Sequence, residues 1–372
     1  MKFVDLNADY AHHKPEIDAA MARVIADGAY VRGRHVRQFE SDFAALVGAR
    51  FCVSCASGSD ALYIALKALG LKAGDEVLTP AFSWIATAAA VTQAGGKPVF
   101  CDIERDSFTI DPAEIEARIT SRTRGIIAVH LYGQSADMDR VMEIARRHDL
   151  WVIEDCAQAP LARFSGKPVG GFGDIATYSF YPTKNLGALG DAGSLTTQRA
   201  DIAEFARAFA DHGGKNQHVL EGVNSRMDGV QAAILSAKIP KLRAFNARRR
   251  RIAQGYDDRL GGLEGVQIPA RRPHAEHVYH LYVVKSAARA PLQAALAAAG
   301  VPTAVQYPKP LPLYPAYRRF GHRPQDFPAA CEAAARVVSL PLHPYLEESD
   351  VNRVAGVVLG HLKGRSHAES AA

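Results

Sequence analysis

The sequence predicts an α/β protein. A large domain, residues 1–243, is built on a mostly parallel seven-stranded sheet flanked by helices, and a smaller C-terminal α+β domain covers residues 244–372. Three observations carry this expectation. Strand-like and helix-like periods alternate up to about residue 240, as a succession of βα units requires. The runs Gly125-Ile126-Ile127-Ala128-Val129-His130-Leu131 and Leu150-Trp151-Val152-Ile153 are continuously apolar, the pattern of central strands covered on both faces. Beyond Lys241 the composition shifts to a basic helix and the alternation stops.

Ile17, Met21, Val24 and Ile25 share one helical face, and Val36, Phe39, Phe43 and Leu46 repeat the spacing, so two amphipathic helices lead the chain. Phe51 to Cys55 is a short strand running through Ser57-Gly58-Ser59-Asp60 into a third helix, with Leu62, Ala65, Leu66 and Leu69 on one side. Strand and helix then alternate at Glu76–Thr79, Ile85–Gln93, Pro98–Ile103 and after Pro112. Past the two apolar strands, Ile175–Phe180 and Gly193–Thr197 are strands parted by a loop with Pro, Lys and Gly, and helices return at about 201–210 and 227–239. The smaller domain holds the basic helix Arg243–Arg259, an isolated strand at Val278–Val284 and an Ala-rich helix near 291–299. Five prolines between Pro302 and Pro315 make that segment a shaped loop rather than a helix. The small, polar stretch Gly364–Ala372 is expected to fray.

A formal charge of +5 over this length is far from the dense basic stripe that nucleic acid requires, though it suits acidic small substrates. No apolar run approaches the roughly 20 residues of a membrane span, and the first residues do not form a signal peptide. The expected place is the cytoplasm, with no membrane partner. Five scattered cysteines (Cys52, Cys55, Cys101, Cys156 and Cys331) do not form a disulfide framework, so reduced thiols are expected. Cys52 and Cys55 lie on one strand and point to opposite faces, which disfavours a zinc site; no metal is expected. The four arginines Arg248–Arg251 fit a solvated helix face or a surface near a nucleotide diphosphate better than a nucleic-acid patch.

Three features carry chemistry. Ser57-Gly58-Ser59-Asp60 opens a helix after a strand, where free backbone N–H groups and the helix dipole favour an anion; alone, it is an ordinary N-cap. Asp155 ends the apolar strand at the sheet edge where ligands of open α/β folds gather, and a carboxylate there calls for a cationic partner, unless it simply caps a helix. Lys184 sits in Ser179-Phe180-Tyr181-Pro182-Thr183-Lys184-Asn185-Leu186-Gly187, where Tyr181, Pro182 and Leu186 could desolvate its amine and lower its pKa for Schiff-base chemistry. Taken singly, it is a solvated charge. A phosphate cradle, an acid for a ring nitrogen and a buried amine together are the groups that pyridoxal 5'-phosphate requires.

Their order, with Thr79-Pro80-Ala81-Phe82-Ser83-Trp84-Ile85-Ala86-Thr87, Val129-His130-Leu131-Tyr132-Gly133-Gln134, Ile153-Glu154-Asp155-Cys156-Ala157-Gln158-Ala159 and Asn224-Ser225-Arg226-Met227-Asp228-Gly229-Val230-Gln231-Ala232-Ala233, resembles the sugar aminotransferases of the DegT/DnrJ/EryC1/StrS type from about Val4 to Leu362. The resemblance implies the fold type I of pyridoxal-phosphate transferases. It implies that Gly58, Ser59 and Ser179 hold the phosphate, that Asp60 is among the cofactor-binding residues, that Trp84 stacks on the ring, Asp155 pairs with the ring nitrogen, Gln158 meets the ring hydroxyl and Lys184 is the Schiff-base lysine. Asn224 matches a residue that reaches the phosphate of the neighbouring subunit, so a homodimer with shared sites is implied. The implied reaction moves an amino group from L-glutamate, through the pyridoxamine 5'-phosphate form, to a nucleotide-linked keto-sugar. Asn185-Leu186-Gly187-Ala188-Leu189-Gly190-Asp191-Ala192-Gly193 is more similar to relatives acting at C3 than at C4. Tyr181, Lys215, Gln306 and Tyr307 are the expected substrate contacts, although Gln306 and Pro312 stand where family members often carry histidine, a departure that bears on which sugar is taken. A regulatory or sensor protein that binds the cofactor without turnover is the alternative, since fold does not fix function.

Overall fold

The computed structural model describes residues 1–370, with side chains to 364. Seven strands form the main sheet: β1 (Phe51–Cys55), β2 (Glu76–Pro80), β3 (Lys97–Cys101), β4 (Thr123–Val129), β5 (Trp151–Asp155), β8 (Ile175–Ser179) and β9 (Gly193–Thr197), with β6 (Arg163–Phe164) and β7 (Lys167–Pro168) inserted between β5 and β8. Their order is β1-β9-β8-β5-β4-β2-β3. Six run parallel, and β9 alone is antiparallel to both its neighbours, β1 and β8.

The helices preceding, linking or following these strands are α1 (Leu6–Asp27), α2 (Arg34–Val47), α3 (Gly58–Ala68), α4 (Ala86–Gln93), α5 (Pro112–Ala117), α6 (Met138–Arg147), α7 (Ala200–Phe209) and α8 (Gly229–Lys238). Successive residues of β4 alternate between two cores: Ile127 and Val129 pack with α3, α4 and α7, whereas Ile126 and Ala128 pack with α2, α5, α6 and α8. This double burial is the physical reason for the unbroken apolar run in the sequence. Cys52 and Cys55 fall into opposite cores, as their strand spacing requires.

A third core gathers side chains from α9 (Leu242–Leu260), β11 (Tyr282–Lys285), α10 (Arg289–Ala298), β12 (Val337–Leu340) and α12 (Glu348–Ser370). Strand β10 (Ala275–Glu276) pairs instead with β6, and α11 (Pro328–Arg336) packs on the first core. Residue 243, the expected boundary, falls in the first turn of α9.

Two expectations are corrected. The strand placed at Val278–Val284 begins only at Tyr282, and it pairs antiparallel with β12, so it is not isolated. Residues before it are irregular because their backbone serves other partners: the N–H groups of Val278 and Leu281 donate to the carbonyls of Gly133 and Tyr132. The arginine run is not one solvated face, because Arg249 is buried and donates to the carbonyls of Tyr279, His280 and Leu342. The backbone is helical from Gly364 to Ser370, and residues 371–372, the end of the stretch expected to fray, lie outside the described residues. Among the described residues, no helix is long and apolar enough to cross a membrane.

Candidate active site

The site residues follow the carboxyl ends of parallel strands, where an open α/β sheet leaves a crevice. After β1, Ser57 adopts extended backbone and caps α3, its hydroxyl accepting from the Asp60 N–H at 3.1 Å. The N–H groups of Gly58 and Ser59 lie in the first turn and have no intrahelical acceptor. Gly58 is required by close approach: a Cβ there would sit 2.6 Å from the Ser179 Cβ at the end of β8. Gly193 of β9 lies equally close beneath the cradle, its missing Cβ 2.3 Å from the Ser57 carbonyl. Asp60 accepts from the Ser225 hydroxyl at 2.7 Å, while that hydroxyl accepts from the Ala56 N–H at 3.1 Å.

Asp155 ends β5 with its side chain buried. Burial raises its pKa, partly opposed by the Ala157 N–H at 3.1 Å, the charge of Lys184 and the Thr87 hydroxyl. It is a buried carboxylate that a further cation would stabilise. Behind it, Glu154 is fully buried and accepts from the N–H groups of Gly170, Phe172 and Gly173. His130 takes the Ala136 N–H on Nδ1, so its Nε2 carries the proton and donates to Glu154 at 3.1 Å. His130, Glu154 and Cys156 lie close enough to suggest a metal cluster, but the imidazole and carboxylate are already engaged by these bonds.

Lys184 is partly buried on the loop after β8, and its amine is held down to about 8 by burial, against the opposing pull of Asp155. The loop is pinned on both sides. Asn185 donates to Asn246 of α9 at 2.9 Å and to the Val278 carbonyl at 3.1 Å, and Lys238 donates to the Gly187 carbonyl at 2.6 Å. His280, buried beside Asn185, is kept neutral by burial and by the charges of Lys184 and Arg249.

Trp84 follows β2 and is 57% exposed, with its ring centroid 5.9 Å from that of Tyr307. A tryptophan held at a crevice by a neighbouring aromatic, with a face left open, can stack on a planar ligand. Gln158 is buried between Tyr132 and Tyr307, accepting from the Tyr132 N–H and donating to the Tyr307 hydroxyl. Gln306 directs its Oε1 to the Ser339 hydroxyl of β12. Tyr181 has an exposed ring, and its carbonyl accepts from the Lys184 N–H at 2.8 Å.

The fold therefore joins Gly58 to Ser179, Asp155 to Lys184, and both Gln158 and Trp84 to Tyr307. Within this chain it does not join Lys215 or Asn224 to that group: both are exposed, Lys215 in the turn after Gly213 and Gly214. The sequence reading missed Thr87, Tyr132, Gly193, Ser225 and His280. Thr87, Tyr132 and Ser225 lie inside the recognised motifs, but their roles depend on a backbone N–H or a buried hydroxyl that residue type does not announce.

A helix N-terminus with free N–H groups, an open indole face, a buried carboxylate short of a cation and an amine near 8 are the donor set that fits pyridoxal 5'-phosphate. They define the class of pyridoxal-phosphate-dependent aminotransferases. The DegT/DnrJ/EryC1/StrS aminotransferase family model matches residues 11–359, and the chain belongs to that family. It is 45% identical to the pleiotropic regulatory protein of Geobacillus stearothermophilus, covering 93% of this chain and 94% of that one. It is 42% identical to the UDP-N-acetyl-3-dehydro-alpha-D-glucosamine 3-aminotransferase of Acidithiobacillus ferrooxidans, over 97% and 98% of the two chains. The crystal structure of S. venezuelae DesV in complex with a ketimine intermediate superposes with a TM-score of 0.96 at 40% identity, over 97% of this chain and 98% of that chain.

Proposed function

We propose that this protein moves an amino group from an amino acid, L-glutamate, to a nucleotide-linked keto-sugar, at C3 rather than C4. The observation that carries the reading is the partly buried Lys184 amine, held to about 8, coupled to the buried carboxylate of Asp155. The name of the Acidithiobacillus relative, which acts on a UDP-linked 3-dehydro sugar, supports the substrate class and the C3 position.

When bound, the cofactor supplies a ring that accepts the electron pair left by deprotonation at carbon. The chain supplies the rest. Gly58, Ser59 and Ser179 hold the phosphate, with Asp60 fixing the cradle through Ser225, and Trp84 covers the ring. Asp155 keeps the ring nitrogen protonated, and Gln158 donates to the ring oxygen. Lys184, with a proton affinity near neutrality, moves the proton at the substrate carbon in both half-reactions. Tyr181, Gln306 and Tyr307 face the substrate, with Lys215 supplied by a second copy.

The exposure of Asn224 and Lys215 supports a homodimer in which these residues complete the site of a second copy. Two domains dividing near residue 243 are supported by the separate third core, and we place the protein in the cytoplasm with neither nucleic acid nor membrane as partner. The name of the Geobacillus relative favours a second reading, a sensor without turnover. Intact Lys184 and Asp155 weigh against it.

Mixing holoenzyme with L-glutamate is expected to bleach the visible band of the lysine-bound cofactor, and a nucleotide-linked 3-keto sugar is expected to restore it. A band that no amino donor bleaches would favour the sensor.

A further inference from the structure

The amide of Gln158 is held between two tyrosines from different parts of the chain. The Tyr132 backbone N–H donates to its Oε1 at 2.6 Å, and its Nε2 donates to the Tyr307 hydroxyl at 3.1 Å. A backbone N–H can only donate, so the first contact decides which end of the amide carries oxygen. Nε2 then has two protons, of which Tyr307 takes one. Tyr307 is buried, with its ring against Phe82 and Trp84, and burial keeps its hydroxyl protonated. Tyr132 is fixed in turn. Its φ is 59°, and its hydroxyl donates to the carbonyl of Gln306, whose side chain is tied to Ser339 of β12. A chain of bonds thus runs from Gln158 at the sheet edge to a strand of the third core.

We propose that Tyr307 is a positioning residue that, with the Tyr132 backbone, holds the Gln158 amide in one orientation and leaves its second Nε2 proton for the ring oxygen of the cofactor. The proposal rests on the reading in which Gln158 meets that oxygen. A donor there stabilises negative charge on the oxygen, so it lowers the pH at which the lysine-bound cofactor loses its proton. Without the tyrosine hydroxyl, the terminal torsion of Gln158, which is intrinsically broad, is free to swing and the donor is aimed for less of the time.

The test is a pH titration of the visible band in the reconstituted holoenzyme. Tyr307→Phe keeps the aromatic packing, which a melting curve of the apoprotein checks. Its titration midpoint is expected to rise by about 0.5 to 1 unit, the worth of one hydrogen bond. Gln158→Leu should rise at least as far, and the double variant no further than Gln158→Leu alone. An unmoved midpoint in Tyr307→Phe overturns the proposal, and so do additive shifts, which would mean that Tyr307 acts on the cofactor directly. An unmoved midpoint in Gln158→Leu removes the ring-oxygen contact, and the proposal with it, while leaving the Lys184 assignment standing. Failure of the wild-type protein to show a visible band sinks that assignment as well. A second measurement needs no folded Tyr307 variant. In apoprotein carrying 15N-glutamine, of the side-chain amide pair that disappears in Gln158→Leu, the proton held by the Tyr307 hydroxyl should exchange more slowly with solvent than its twin; equally fast exchange of both overturns the fixed amide.

Discussion

The amine of Lys184 should titrate far below an ordinary lysine even before any cofactor binds. Burial favours the neutral amine, Asp155 favours the charged one, and burial prevails, leaving the group at about 8 against a reference of 10.5. At pH 7 this makes about one amine in eleven neutral, compared with about one in 3,000 for an unperturbed lysine, a gain of roughly 300-fold in the nucleophilic form. Pulse acetylation of the apoprotein across pH, with the Lys184 peptide quantified by mass spectrometry, reads this directly because only the neutral amine reacts. The labelling midpoint is expected near 8, well separated from the exposed lysines. Replacing Asp155 with Asn removes the opposing charge and should lower the midpoint further. A Lys184 peptide that titrates together with exposed lysines would refute the reasoning, and so would a midpoint that rises in Asp155→Asn.

Trp84→Ala should leave apoprotein stability within about 0.5 kcal/mol, because the side chain is 57% exposed, while weakening cofactor retention about 2- to 10-fold; a large loss of stability would mean that Trp84 serves the core instead. Gly58→Ala puts a methyl group 2.6 Å from the Ser179 Cβ and should cost about 1 to 3 kcal/mol in urea unfolding together with weaker phosphate binding. Unchanged unfolding would mean that the cradle does not abut β8. Glu154→Ala strips an acceptor from three backbone N–H groups and from His130, so a loss of at least about 3 kcal/mol is expected. Burial raises the pKa of Glu154, but the bonds from His130, Gly173 and Gly170 outweigh it and leave the group below its usual value of 4.5. Its contribution is therefore complete above the unfolded carboxylate pKa and is lost as pH falls through the lower folded value. An acid-unfolding curve of Glu154→Ala that parallels the wild type contradicts this.

The main sheet was legible because its central strands are buried twice over and need no alternation, so Ile126 to Val129 and Val152 to Ile153 stand out against any helix. The small strands were not. β6, β7 and β10 have two residues each, too few to show a period, and β12 follows α11 without a break. Arg249 could not be told from Arg248 and Arg250 by composition; only the carbonyls that its fold brings to the guanidinium separate them. In the site, Lys184, Asp155 and Gln158 are recognisable because their chemistry resides in the side chain. Tyr132 serves Gln158 through its main chain, and Gly193 serves the cradle by lacking a side chain, so neither leaves a signature of its own. Trp84 shows the converse: residue type alone predicts burial, and the crevice leaves more than half of it open.

A covalent bond between Lys184 and the cofactor aldehyde is the feature on which the proposed activity depends most directly. Protein reconstituted with pyridoxal 5'-phosphate, reduced with borohydride and digested should carry the cofactor mass on the peptide containing Lys184 and on no other. A reduced protein with that peptide unmodified, or with the mass on a different lysine, contradicts it.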